Sequence, residues 1–350
     1  MQTSHQVVAC AGGDGTVLER RPAPRPGRGE MLLRLRVVGL CGTDLFKLRT
    51  GSAAAGAVLG HEVVGTVIGL GAGVTEFADG DRIVVPHHVA CGVCLLCRRG
   101  NETMCEAFKE NLMVPGGFSE MILIRQRATA LAARRIPDSL SDECAVFLEP
   151  AACVLRGVRR SGLGGAGTAV VLGSGSMGLL HLLVLKAVLP GAGVLMVDPN
   201  RERLDLARTL GADSATPPGA DALEAARRLT AGLGADAVFD TVGGQSALEA
   251  GVELTRPGGT IVLFAHAPAG TSAALDLNAL FKSERRLVAT YSGALSEQRE
   301  IFDRLCDGSL DPAPLVTHRL PLDEFERGVS LVEKQQALKV LFTPSDAAVV

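Results

Sequence analysis

Nine cysteines stand in this 350-residue chain, and four of them crowd into one short lobe: Cys91, Cys94, Cys97 and Cys105. Four thiolates in a C-x2-C-x2-C-x7-C array form a closed tetrahedral shell around Zn²⁺, which suits a structural site. The alternatives are reduced core cysteines, which the accompanying Arg98, Arg99, Asn101 and Glu102 argue against, and an iron–sulfur cluster, whose ferredoxin spacings this array does not match. Cys41, His61 and Glu62 make a second, looser set of ligand types, with Cys41 at a strand end and His61-Glu62 opening another strand. A third feature is the run Gly173-Ser-Gly175-Ser176-Met177-Gly178, with G-x-G-x-x-G spacing. Gly173 permits a tight turn, Gly175 removes a side chain where backbone must approach a pyrophosphate, and Gly178 lets the next helix pack close. The N–H groups of that helix's first turn, at Ser176 and Met177, would face the phosphates. Asp198 lies twenty residues after Gly178. Its carboxylate can accept from both adenosine ribose hydroxyls and would repel a 2′-phosphate, so NAD is expected over NADP.

The elements around these residues support that chemistry. Thr168 to Leu172 is an apolar, β-branched run that reads as a buried strand, and 176–188 has helical length. Further strands are expected at 193–197, 236–240, 260–264 and 287–291. Helices are expected near 200–210, 220–231, 246–255 and 275–283. This alternation predicts a doubly wound parallel sheet. A helix near 296–307 and a last strand near 338–343 follow. Before the sheet, short strands read at 1–10, 16–20, 30–40, 61–68, 81–86 and 118–124, with frequent glycines such as Gly12-Gly13-Asp14-Gly15. They predict a barrel-like β unit. Ser141 is placed to cap a helix that carries Asp142 and Glu143 in its first turn. Pro150 should end or kink that helix at Glu149, or begin a new one, leaving the Glu149 carboxylate at the break.

Composition narrows the class. Hydrophobic residues make up 47% of the chain, enough for two cores, with 11 Phe, one Tyr and no Trp. A net charge of −3 disfavours nucleic acid as a partner. The basic cluster Arg20, Arg21, Arg25 and Arg28 reads as a solvated loop. No basic-then-apolar leader opens the chain, and its longest apolar run, near 179–189, is broken by His181 and Lys186. A soluble cytoplasmic protein without membrane partners is expected, with cysteines that bind metal rather than form disulfides. The last residues, ending Asp346-Ala-Ala-Val-Val, are expected to fray.

Taken together, the motifs resemble the zinc-dependent medium-chain alcohol dehydrogenases, near their sorbitol/threonine dehydrogenase branch. The marks are Cys41-Gly-Thr-Asp44, Gly60-His61-Glu62, Gly80-Asp81, the four-cysteine lobe, Glu149-Pro150, Gly173 to Gly178, Asp198 and Leu338-Lys339-Val340. The resemblance covers nearly the whole length. It implies a GroES-like catalytic domain over 1–152 with a structural zinc lobe at 88–108, a Rossmann NAD domain over 153–292, and a return to the first domain over 293–350. It implies two zinc ions per chain. The catalytic one would be held by Cys41, His61 and a carboxylate: Glu62, Glu149, or each in turn. It further implies Thr43 as a proton relay, Asp44 as support for the metal site, Asp198 and Arg203 against the adenosine ribose, and Lys339 close to the cofactor. His88 matches a pocket-lining position of threonine dehydrogenases. Many relatives carry a histidine three residues after the relay residue; here that position is Phe46. The expected reaction is hydride transfer between NAD(H) and a secondary alcohol or ketone, such as a polyol, cyclitol, sugar derivative or hydroxy amino acid, in a homodimer or homotetramer. The rival readings are an aldehyde or ketone reductase of the same fold and a non-catalytic zinc- and NAD-binding scaffold.

Overall fold

The computed structural model describes residues 3–267 and 269–345. The expected fraying at 346–350 lies outside the described residues. The chain divides into two compact units, Met1–Pro150 with Ala294–Val350, and Ala151–Gly293.

Among the described residues sixteen strands run in chain order. The first eight are β1 (Ser4–Gly12), β2 (Gly15–Pro22), β3 (Met31–Gly39), β4 (Glu62–Leu70), β5 (Arg82–Pro86), β6 (Met113–Val114), β7 (Met121–Ile124) and β8 (Arg134–Arg135). Then come β9 (Thr168–Leu172), β10 (Gly193–Val197), β11 (Ser214–Thr216), β12 (Ala235–Asp240), β13 (Thr255–Leu263) and β14 (Arg286–Ala289). The chain returns through β15 (Val316–Pro321) and β16 (Lys339–Thr343).

The first unit is the GroES-like part. Its main sheet runs β15-β16-β3-β4-β5-β8, with β7 paired to both β3 and β6. Only β15 and β16 are parallel neighbours; the remaining pairs are antiparallel. The hairpin β1–β2 closes on the expected glycine turn, and bridges at Val7–Ser119 and Ala9–Val58 tie β1 to the rest of the unit. The core is aliphatic, from Val7, Leu33, Val63, Ile83 and Ile122, with Phe118, Phe325 and Phe342 stacked in its middle.

The second unit is a six-stranded, wholly parallel sheet of order β11-β10-β9-β12-β13-β14. Helices cover a parallel sheet on both faces, so its central strands read as unbroken apolar runs. Every residue of Thr168–Leu172 is buried. The order reverses between β9 and β12, the crevice where such sheets bind ligands at the carboxyl ends of their strands.

Three stretches depart from the sequence reading. An eight-residue helix, Gly42–Arg49, follows Cys41 directly. Strand β15 and the helix Phe325–Glu333 fill the return segment, and β11 adds an edge strand. Pro150 does not break a helix at Glu149. The helix capped by Ser141 stops at Ala145, and a new one, Leu148–Ser161, holds Glu149 and Pro150 in its first turn. First-turn N–H groups have no intrahelical acceptor, so a proline there costs nothing.

His181 sits in the helix Ser176–Val188 with no exposed surface. Its Nδ1 lies 2.7 Å from the Met177 carbonyl, its ring packs on Phe239 and Phe264, and Nε2 has no partner. Burial pulls its pKa down to about 4, from 6.5. The folded state therefore holds it neutral, while the unfolded chain takes up the proton first. Stability is whole above pH 6.5 and falls as pH drops towards 4, by roughly 3 kcal/mol in full. His181→Leu should flatten the acid limb of the pH–stability curve by about one proton, measured by urea melts from pH 7 to pH 4. An unchanged limb would refute this.

Candidate metal centre and nucleotide loop

Two groups of ligand atoms gather within 4.8 Å of one another: Cys91, Cys94, Cys97 and Cys105, and Cys41, His61 and Glu62. In the lobe the Sγ atoms of Cys94 and Cys97 are 3.5 Å apart, Cys91 and Cys105 3.6 Å, and Cys91 and Cys97 3.9 Å. A tetrahedron with Zn–S bonds of ~2.3 Å sets its sulfurs about 3.8 Å apart. Disulfide sulfurs would stand at ~2.05 Å, so these are thiols arranged for an ion. Their electrostatics are unequal. N–H groups of Val93 and Cys94 pull the Cys91 thiol down to about 6, while burial and its neighbouring thiols push Cys97 up to about 12. Cys97 therefore keeps its proton as the lobe stands, and a bound cation is what would let all four thiols ionise.

The second group is assembled by backbone register. β3 and β4 pair antiparallel with Gly39 opposite Glu62, which brings the end of one strand beside the start of the next. The chain leaves β3 through Leu40 to Cys41, which caps the helix Gly42–Arg49: its Sγ accepts from the Thr43 N–H at 3.5 Å, and Asp44 accepts from the Cys41 N–H at 3.2 Å. This reciprocal pair is a capping box. Asp44 is fully buried and also accepts from the Gly60 N–H at 3.2 Å, while its Oδ1 lies 3.3 Å from His61 Nδ1. A carboxylate on Nδ1 fixes the ring so that Nε2 is the atom left to face a metal. Burial lowers the His61 pKa, but Asp44 and Cys41 outweigh it and hold the pKa well above 6.5. The pocket is electronegative enough to demand a positive charge. Gly60 is required here: its φ is +85°, and a Cβ would meet Phe118 N at 2.8 Å.

Glu62 (1% exposed) makes an ion pair with Lys339 (3% exposed), the first residue of β16. The ammonium also donates to the Leu40 carbonyl at 3.3 Å and stands 5.5 Å from the Phe147 ring centre. Gly39 has no side chain because the Glu62 carboxylate fills that space, with Lys339 Cε 2.9 Å from where its Cβ would be. The Lys339 ammonium is thus committed inside the first unit. Glu149, half-buried in the first turn of the helix Leu148–Ser161, is not among the atoms that gather with Cys41 and His61. Thr43 lies in the first helical turn beside Cys41, with Phe46 one turn on. A ladder of rings leads from the centre towards the lobe: His61 to His87 at 4.6 Å, His87 to His88 at 3.7 Å, and His88 to Phe108 at 5.2 Å between ring centres. The sequence reading passed over His87.

The glycine loop fits the geometry of a nucleotide cradle. Gly173 has φ +93°, and a Cβ on Gly178 would collide with the Gly173 carbonyl. At Gly175 a Cβ would meet only Arg203 Nη1, at 4.0 Å, which leaves the loop open where a phosphate must approach. Among the described residues no side chain caps the helix that starts at Ser176 and Met177, which leaves its first N–H groups for a ligand. Asp198 is buried at the end of the approach: Oδ2 accepts from the Ser174 N–H at 2.6 Å, Oδ1 from the Asn200 N–H at 2.8 Å. These bonds use two of the roughly four acceptor positions a carboxylate has. Arg203 stands in the first turn of the helix Arg201–Thr209, which Asn200 caps.

A thiolate–imidazole–carboxylate centre in one unit and a dinucleotide loop in the other define a metal-dependent, nicotinamide-linked dehydrogenase. Comparison with known proteins agrees. Residues 27–137 match the alcohol dehydrogenase GroES-like domain, and residues 177–307 match the zinc-binding dehydrogenase domain. D-altritol 5-dehydrogenase of Agrobacterium fabrum is 34% identical over 88% of this chain and 90% of its own. L-threonine 3-dehydrogenase of Bacillus licheniformis is 29% identical over 97% and 98%. Among solved structures, the alcohol dehydrogenase rspB of Escherichia coli CFT073, in complex with NADH, superposes with a TM-score of 0.87 at 26% identity, over 98% of this chain and 100% of that one. The chain belongs to the zinc-dependent medium-chain alcohol dehydrogenases. Among the described residues no helix is long and apolar enough to cross a membrane.

Proposed function

We propose that the protein oxidises a secondary alcohol of a polyol or related polyhydroxylated substrate, with NAD as hydride acceptor and two zinc ions per chain. The observation that carries this reading is the convergence of Cys41, His61 and Glu62 within 4.8 Å. When bound, the zinc would acidify an alcohol and the NAD would take its hydride. The chain's residues do the rest. Cys41 and His61 hold the metal, with Asp44 orienting the imidazole, and Glu62 or Glu149 completes the set. Thr43 Oγ1 accepts the proton that leaves the alcohol oxygen while giving up its own hydroxyl proton. Phe46 offers no onward acceptor, so that proton passes directly to water. The four-cysteine lobe takes the second zinc. Asp198 selects NAD by accepting from the ribose hydroxyls and opposing a 2′-phosphate, and Arg203, over Gly175, contacts the nucleotide.

The 34% identity to the D-altritol dehydrogenase supports a polyol, and the threonine dehydrogenase makes a hydroxy amino acid the second substrate to test. The nine free cysteines support a reducing, cytoplasmic setting. Self-association is supported by Leu277 (76% exposed) and Phe281 (82% exposed) on the helix Leu277–Ser283, just before the open edge strand β14.

The test is an assay of the purified, zinc-loaded protein against D-altritol, sorbitol, L-threonine and simple secondary alcohols, with NAD and NADP in turn. NAD-dependent oxidation of a polyol is expected, with NADP worse by at least about tenfold, the discrimination that one opposed charge of ~1.4 kcal/mol supplies. Asp198→Ala should narrow that gap. No turnover on any substrate would leave the scaffold reading in its place.

A further inference from the structure

The end of β12 reaches across the switch point and grips the nucleotide loop. Thr241 follows Asp240, the last residue of β12, and lies beside Leu172, the last of β9. Its Oγ1 donates to the Leu172 carbonyl at 2.6 Å, and its backbone N–H reaches the same oxygen at 3.2 Å. The carbonyl thus receives two donors from one residue, just where the chain turns into Gly173. The same Oγ1 lies 2.7 Å from where a Gly173 Cβ would be, and 3.4 Å from that of Gly178. It fills the space that a side chain at Gly173 would need and touches the position of one at Gly178. Asp240 in turn accepts from the N–H groups of Val242 and Gly243, at 2.9 and 2.8 Å, which fixes the segment that carries Thr241.

We propose that Thr241 is a positioning residue for the nicotinamide nucleotide: its hydroxyl pins the left-handed turn at Gly173 and so holds the loop N–H groups in line for the pyrophosphate. The proposal rests on the nucleotide-binding reading above. Thr241 touches no reacting atom, so its effect falls on nucleotide affinity and spares the chemical step. Loss of one hydrogen bond of ordinary net strength corresponds to about a fivefold weakening. Loosening of the loop adds to it.

The experiment measures NADH binding by fluorescence titration, together with KM for NAD and kcat at saturating NAD, in wild type, Thr241→Val, Thr241→Ser and Thr241→Ala. Valine keeps the shape and removes the hydroxyl; serine restores it. Expected are a Kd for NADH and a KM for NAD raised five- to tenfold in the valine and alanine variants, kcat within about twofold of wild type, and near wild-type values with serine. Should valine not fold, the serine–alanine pair carries the same comparison. Wild type that binds NADH, with valine or alanine binding it equally well, would overturn the proposal alone. Equal loss in the serine variant would also overturn it, because packing and not the hydroxyl would then be responsible. Wild type that binds no NADH would overturn the nucleotide reading beneath it.

Discussion

Cys41→Ser should lose at least about a thousandfold in kcat/KM for NAD-dependent alcohol oxidation, or ~4 kcal/mol of transition-state stabilisation. Cys41 is both a proposed zinc ligand and the cap of the helix Gly42–Arg49, and serine keeps the cap while giving up the soft sulfur. The fold should survive, and zinc content should fall from two ions per chain to one, because the four-cysteine lobe is untouched. Steady-state kinetics with elemental analysis separates the outcomes. A variant that turns over at the wild-type rate with only the lobe ion present would end the zinc-centred reading.

The second large effect is on stability. Lys339→Met leaves the Glu62 carboxylate buried and without its counter-ion, since both residues are nearly inaccessible and the lysine is the cation paired with it. Breaking a buried pair on one side costs about 3–5 kcal/mol. In the metal-depleted protein, calorimetry should place the transition of the first unit about 10 °C lower. Adding Glu62→Gln should recover a good part of that loss by removing the stranded charge. A Lys339→Met protein that melts with wild type would show that the pair contributes nothing, and a double variant no better than the single would assign the loss to packing around Phe147.

Which features were legible from sequence follows from how local their causes are. The glycine loop is a contiguous run whose backbone demands are met within a few residues, so Gly173, Gly175 and Gly178 announce themselves. The lobe cysteines are likewise close in sequence. Strands buried on both faces, such as Thr168–Leu172, show as apolar runs. The helix Gly42–Arg49 was hidden because Gly42 and Thr43 are poor helix formers and its cap is a cysteine, an unusual choice. Pro150 left two readings open because a proline signals a stop only where N–H groups have acceptors; here it falls inside the first turn of a new helix, near the second of them. The Glu62–Lys339 pair joins β4 to the last strand and depends on the pairing of β16 with β3. Thr241 is equally remote from the loop it steadies. No local pattern marks either; only sheet order does.

The first unit is built from both ends of the chain, with the second spliced into its middle. Translation therefore finishes the parallel sheet while the earlier one still lacks β15 and β16. Until Lys339 leaves the ribosome, the Glu62 carboxylate has no ammonium to neutralise it, and the seam along β3 lies open. A nascent chain should thus acquire affinity for nucleotide before the pocket around Glu62 matures, and loading of the Cys41–His61–Glu62 group should be among the last events in its biogenesis.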